Sequence, residues 1–253
     1  MAGHSHWARI KRQKAANDSK RGREWSKLSK RIIVAARQGG GDPNDNLTLR
    51  YAIDDAKAAN MPKDTIGRAV KKGTGELGGV EYEQIIYEGY GPDGVAFLID
   101  CLTDNRNRTG PEMRKAFERA GGQLGASNCV AWMFEQKGTF LISAEQTDED
   151  TLMEVALEAG ADDVVRDGDY FEITCDVAAY SDVKAALADR EIGTESASIA
   201  MIPANTVAVE GEKARQVLGL IDALEDHEDV QNVYTNADIP DEVMAAVDDA
   251  AAR

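Results

Sequence analysis

The sequence predicts a mixed α/β (α+β) chain: an N-terminal three-helix domain followed by two α/β domains, the last inserted into the middle one. Three observations carry this expectation. Apolar residues recur every three or four positions up to residue 72, then give way to β-like runs from residue 80. Residues 138–203 read strand–helix–strand–strand–helix–strand, which is the ferredoxin-like order, and both α/β domains are expected to be ferredoxin-like. After Pro203 come one more strand, a helix and a strand, enough to complete the sheet begun at residue 80. A length of 253 residues leaves room for two or three domains.

The elements follow in order. Residues 1–20 have no long apolar period and read as a basic arm. Trp25, Leu28, Ile32 and Ala35 form one face of a helix that Gly39-Gly40-Gly41 stops. Leu49, Ile53 and Ala56 stripe a second helix, and Pro62 opens a third with Ile66, Ala69 and Val70 inward. The helical domain is thus 21–79. Gly91-Pro92-Asp93-Gly94 turns a hairpin between runs 84–90 and 95–102. Thr109-Gly-Pro-Glu112 has capping-box spacing and is expected to open the next helix, with Met113, Phe117 and Ala120 inward. Ala131-Trp-Met-Phe134 resumes a strand. The middle domain is assigned to 80–137 and 204–240, with 206–209 as one of its strands. The inserted domain is 138–203, and 241–253 is an acidic C-terminal tail.

Composition excludes several functions. A hydrophobic share of 43% suffices for buried cores, yet no uncharged apolar run approaches the ~20 residues of a membrane span. Cys101, Cys129 and Cys175 are widely spaced with no C-x-x-C pair, so they read as reduced thiols of a cytoplasmic chain. The three histidines are His4, His6 and His227, and G-x-S-x-G, H-E-x-x-H and the phosphate-loop motif are absent. Gly89-Tyr-Gly91-Pro-Asp-Gly94 imitates a dinucleotide fingerprint but lies between two strands. His4-Ser-His6 lacks the convergent ligands of a structural metal site. No catalytic residue, metal, cofactor or small-molecule substrate is therefore expected, and no membrane partner.

Charge is the positive signal. The chain carries −16 overall, but residues 1–72 hold 17 Lys/Arg against 7 Asp/Glu, and residues 73–253 hold 12 against 38. A basic head on an acidic body points to a polyanionic partner. Arg9, Lys11, Arg12, Lys14, Lys20, Arg21, Lys27, Lys30 and Arg31, with Arg23, crowd the first 31 positions. On the first helix Lys20, Lys27 and Arg31 fall opposite the Trp25/Leu28/Ile32 stripe, a layout for docking a folded helix on phosphates. Glu replacement of Lys27, Lys30 and Arg31 is expected to abolish binding and leave the fold intact. Arg106 and Arg108, in Asp104-Asn-Arg-Asn-Arg-Thr109, form a second candidate anion site before a helix start; a capped loop with paired arginines is equally consistent with the spacing. Trp7 and Trp25 could stack on bases, although the core suits Trp25 better.

Several stretches together resemble the YebC proteins, bacterial relatives of the mitochondrial translational activator of cytochrome oxidase subunit I. They are Ala2-Gly-His-Ser-His-Trp7, Ile10-Lys11, Asn60-Met-Pro-Lys-Asp64, Tyr87-Glu-Gly-Tyr-Gly-Pro92, Thr103-Asp-Asn-Arg-Asn-Arg-Thr109, Gly121-Gly-Gln-Leu-Gly125 and Met201-Ile-Pro203. His6 departs from the lysine usual there and removes one positive charge from the arm. The resemblance implies three domains, the last inserted, and a cytoplasmic, non-enzymatic regulator of gene expression. Its usual form is a DNA-binding transcriptional regulator. The alternative is a ribosome-associated translation factor that binds ribosomal RNA and eases synthesis of difficult peptide stretches. A more remote alternative is a metal-dependent enzyme at the inter-domain cleft, with Asp104, Arg106 and Arg108 as its candidates. The expected partners are DNA or ribosomal RNA, and through the latter the ribosome.

Overall fold

The computed structural model describes residues 21–78, 81–240 and 243–244. Among these, the chain falls into two compact units: residues up to Cys129 together with Gly211–Thr235, and Val130–Glu210 together with the chain from Asn236. The arm at 1–20 and most of the acidic tail lie outside the described residues.

The first unit begins with α1 (Arg21–Gly39), α2 (Leu47–Ala58) and α3 (Lys63–Gly73). Leu28, Ile32, Ile33, Leu49, Ala52, Ile66 and Ala69 close one core between them, with Trp25 and Val70 packed against it. The expected helical periodicity is therefore the observed one. Asn46 caps α2 by accepting from the Leu49 N–H at 3.0 Å. Its amide also donates to the Ala35 and Gly40 carbonyls, which ties the end of α1 to the start of α2. Gly73 lets α3 cross α1 closely, since a Cβ there would sit 2.5 Å from the Ile33 carbonyl oxygen. The Trp25 indole N–H donates to the Ala59 carbonyl at 3.0 Å, so the ring serves the core.

The same unit continues with β1 (Glu83–Tyr90), β2 (Ala96–Thr103), α4 (Arg106–Arg119) and β3 (Gln123–Leu124), then α7 (Gly211–Glu225) and β9 (Val230–Thr235). The sheet order is β3-β1-β2-β9, antiparallel throughout. Phe97 of β2 meets Phe117 of α4 edge to face at 5.6 Å between ring centres. The four strands and two helices match the expected composition of a ferredoxin-like domain. The expected ferredoxin-like topology is corrected for this sheet: a hairpin comes first, so the chain reads strand–strand–helix–strand–helix–strand, and the strand order is not that of the ferredoxin-like arrangement.

The second unit holds β4 (Phe134–Ser143), α5 (Glu149–Glu158), β5 (Ala161–Asp167), β6 (Tyr170–Asp176), α6 (Tyr180–Asp189) and β7 (Ser196–Pro203). Its order β5-β6-β4-β7, all antiparallel, is the ferredoxin-like arrangement strand for strand. Phe140, Ile142, Leu152, Phe171, Ile173, Val183 and Leu187 fill its core.

Three local expectations are corrected. The strand foreseen at 131–134 starts only at Phe134, after a single 3-10 turn (Ala131–Met133), and runs on through Ser143. Residues 134–137, assigned to the middle domain, thus belong to a strand of the second sheet, where they pair with 200–203. Residues 206–209 do not complete the middle sheet. Their short strand β8 (Val207–Ala208) pairs in parallel with β10 (Ala237–Asp238), because β9 already fills the open edge of β2. Finally, α4 starts at Arg106 with Asn105 as its cap, not at the Thr109 capping box. Pro111 sits well inside the helix, which misleads a rule that places Pro in the first turn.

Candidate nucleic-acid interface

α1 carries Arg23, Lys27 and Lys30 on one stripe, at intervals of four and three. That stripe meets the acidic turn 225–229 between α7 and β9. Arg23 pairs with Asp226 at 3.1 Å. Lys27 donates to the Glu225 carbonyl at 2.6 Å. Lys30 donates to the Glu228 carbonyl at 3.0 Å and to Asp229 Oδ1 at 2.7 Å, with its ammonium also over the Tyr82 ring.

Asp229 is the centre of this contact, and its side chain is wholly buried. Its other oxygen accepts from the Arg108 guanidinium at 2.7 Å, from the Thr109 hydroxyl at 2.8 Å and from the Thr103 hydroxyl at 3.1 Å. Burial opposes ionisation of this carboxyl. The hydrogen bonds from Lys30, Arg108 and Thr109 outweigh it and hold the group well below the usual carboxylate range. The backbone is bound as well: the Asp229 N–H donates to His227 Nδ1 and the Leu102 N–H donates to the Asp229 carbonyl. With Nδ1 accepting, the neutral imidazole carries its proton on Nε2, which faces Glu112 Oε2 at 2.8 Å. Thr109, inside α4 because Asn105 caps the helix, gives its hydroxyl to a buried carboxylate.

The remaining described candidates are also partnered. Arg31 pairs with Asp55 of α2 at 2.9 Å, and Arg37 pairs with Glu81. Arg106 pairs with Glu83 at 3.3 Å, and Arg108 reaches Asp104 at 3.1 Å in addition to Asp229. Arg21 opens α1. Arg9, Lys11, Arg12, Lys14 and Lys20 lie outside the described residues, as do Trp7, His4 and His6. The expectation that Lys27, Lys30 and Arg31 can be reversed without harm to the fold is overturned. A glutamate at position 30 would face Asp229 in a buried site, and like charges cannot share it.

Sequence reasoning missed Asp229, which no local signal separates from the other acids in Glu225-Asp-His-Glu-Asp229. It also missed the cations of α3. A pattern search centred on density of charge finds 9–31 and passes over Lys63, Arg68, Lys71 and Lys72.

Other chemistry is sparse. An open groove of about 930 Å³ runs between α4 and α7, with Lys115, Arg119 and His227 against Glu112, Asp226 and Glu228. Its walls are of mixed sign, and its histidine is held at both nitrogens. Cys101 lies fully buried on β2, where burial, then Asp100 and Asp229, push its thiol up to about 12, so no thiolate forms at neutral pH. Among the described residues no three or more His, Cys, Asp or Glu converge to hold a metal, and no helix is long and apolar enough to cross a membrane.

Fold and site together define a class: a cation-rich helical head tied through its first helix to a turn beside an open antiparallel sheet, with a ferredoxin-like unit inserted into the chain. The chain belongs to the TACO1/YebC family. Residues 5–76 match the family's N-terminal domain and residues 82–237 its second and third domains. A protein of Desulforapulum autotrophicum named a probable transcriptional regulatory protein is 55% identical over 247 residues, covering 98% of this chain and 100% of that one. One of the same designation from Geobacter sulfurreducens is 54% identical over 244 residues, covering 96% and 98%. The crystal structure of a conserved hypothetical protein from Aquifex aeolicus superposes with a TM-score of 0.81 at 45% identity, over 89% of this chain and 93% of that one.

Proposed function

We propose that this chain is a non-catalytic, nucleic-acid-binding regulator of gene expression that engages DNA through its basic N-terminal head. The observation that carries the reading is the segregation of charge, a head of +10 in residues 1–72 within a chain of −16. Phosphate neutralisation with counterion release supplies affinity to such a head, while the acidic remainder repels the same polyanion and so orients it. The designation of its relatives as probable transcriptional regulatory proteins supports the same reading. The test is competitive binding of the purified chain to duplex DNA and to ribosomes at about 0.15 M salt. Sequence-selective DNA binding without ribosome association is the expected result. Ribosome association with sequence-blind, salt-sensitive DNA affinity would transfer the head to ribosomal RNA and sink the transcriptional reading.

A further inference from the structure

We infer that the solvent face of α3, formed by Lys63, Arg68, Lys71 and Lys72 around Gly67, is the folded part of the head that grips a phosphodiester backbone. This deepens the nucleic-acid reading and rests on it. The first support is a contrast of partners within one small domain. Every α1 cation with a described side chain is bonded internally: Arg23, Lys27, Lys30, Arg31 and Arg37. Among the described residues, Lys63, Lys71 and Lys72 make no ion pair, and Arg68 reaches only the Asp64 carbonyl and the Thr65 hydroxyl. Phosphates that approach α1 must displace carboxylates that already hold its cations. Phosphates that approach α3 meet, among the described residues, no carboxylate to displace from its cations.

The second support is geometry. Ile66, Ala69 and Gly73 are the buried side of α3. Lys63, Gly67 and Lys71 fall on one exposed row, and Arg68 and Lys72 on the next, which also carries the helix's one acid, Asp64. At 1.5 Å per residue the first row spans about 12 Å, several phosphate steps of a nucleic-acid strand.

Gly67 is the third support. Glycine in a helix interior is costly, and it normally answers a crowded contact or a positive φ. Here an added Cβ would meet nothing within 4 Å, and Gly67 is not among the residues of positive φ. Among the described residues nothing requires the missing side chain. Between two free lysines it leaves a bare saddle where a backbone phosphate can approach the helix.

The test uses the full-length chain and fluorescence anisotropy with two labelled probes, a short duplex DNA and a single-stranded RNA of the same sequence. The α3 variant carries Lys63→Gln, Lys71→Gln and Lys72→Gln. A charge-matched control carries Arg114→Gln, Lys115→Gln and Arg119→Gln on α4. Thermal melting confirms that both remain folded, which their exposed positions predict. The α3 variant is expected to lose about tenfold or more in affinity, with the salt slope on duplex DNA shallower by about 2.7. The control is expected to stay within about twofold of the parent. Gly67→Glu should weaken binding as well, since it fills the saddle with a carboxylate and touches no core residue.

The two probes show whether DNA or RNA supplies the phosphates, and loss on either one supports the site. A parent that binds and an α3 variant that binds equally well would overturn this inference and leave the nucleic-acid reading intact. Equal losses in the α3 and α4 variants would also overturn it, because net charge alone would then explain binding. A parent that binds neither probe at low salt would instead overturn the nucleic-acid reading itself.

Discussion

Each unit has a lysine that meets aspartate at nearly the same distance. In the first, Lys30 meets Asp229 at 2.7 Å, with the lysine side chain 12% exposed and the aspartate fully buried. In the second, Lys137 of β4 meets Asp176 at 2.6 Å and Asp162 at 2.9 Å, with exposures of 25%, 70% and 42%. Distance does not distinguish them; solvent does. Water competes for the second set and screens it, whereas Asp229 has exchanged its hydration for four protein donors. The pair in the first unit also joins residues almost 200 positions apart, so it holds a helical domain to a sheet. The pair in the second unit links neighbouring strands that the backbone ladder already joins.

The largest expected effect is therefore on the buried side. Asp229→Ala strands the nearly buried Lys30 without its carboxylate, leaves Arg108 only its exposed pair with Asp104, and should cost about 3–5 kcal/mol in urea unfolding. A loss no larger than that of an exposed pair would erase the contrast. The pH dependence sharpens the same point. Because the folded Asp229 carboxyl is held below its ordinary range, its contribution is complete above the unfolded value near ~4 and is lost as pH falls below that value. The melting temperature of the parent should drop steeply there, and the Asp229→Asn profile should be flatter. Identical profiles would mean that other carboxylates dominate acid unfolding.

On the exposed side the effects are smaller. Gly67→Ala adds a helix-favouring residue to open space and should raise stability by about 1 kcal/mol, visible as a higher melting temperature. A destabilised variant would mean that α3 has an intramolecular reason for its glycine. Lys137→Gln should cost less than about 1 kcal/mol despite its two short contacts, measured by urea unfolding in the same buffer. Its deficit relative to the parent should shrink further at high salt, where screening weakens the exposed pair.

Local rules made much of the molecule legible. The stripe Trp25/Leu28/Ile32 placed α1, the run Gly91-Pro92-Asp93-Gly94 placed the first hairpin, and the element order of 138–203 matched its sheet. Each depends on contacts within a few residues, which periodicity and turn chemistry report directly. The failures share the opposite property. Thr109 satisfies a capping-box spacing, yet Asn105 caps the helix, and the Thr109 hydroxyl goes instead to Asp229, 120 positions away. The strand at 207–208 finds its partner at 237–238, and nothing in two residues encodes that choice. Lys27 and Lys30 were correctly placed away from the apolar stripe, but the face they form is not free.

The sequence by itself therefore determined most of the helices and strands, the ferredoxin-like order of 138–203 and the family, along with the gathering of positive charge in the first 72 residues. Side-chain type and spacing along the chain suffice for all of these. Only the tertiary structure decided which charges are spent and which are available. An ion pair between α1 and a distant turn depends on where the whole unit brings two segments together, and burial then sets its strength. The same folding that consumes Lys30 leaves Lys71 in water.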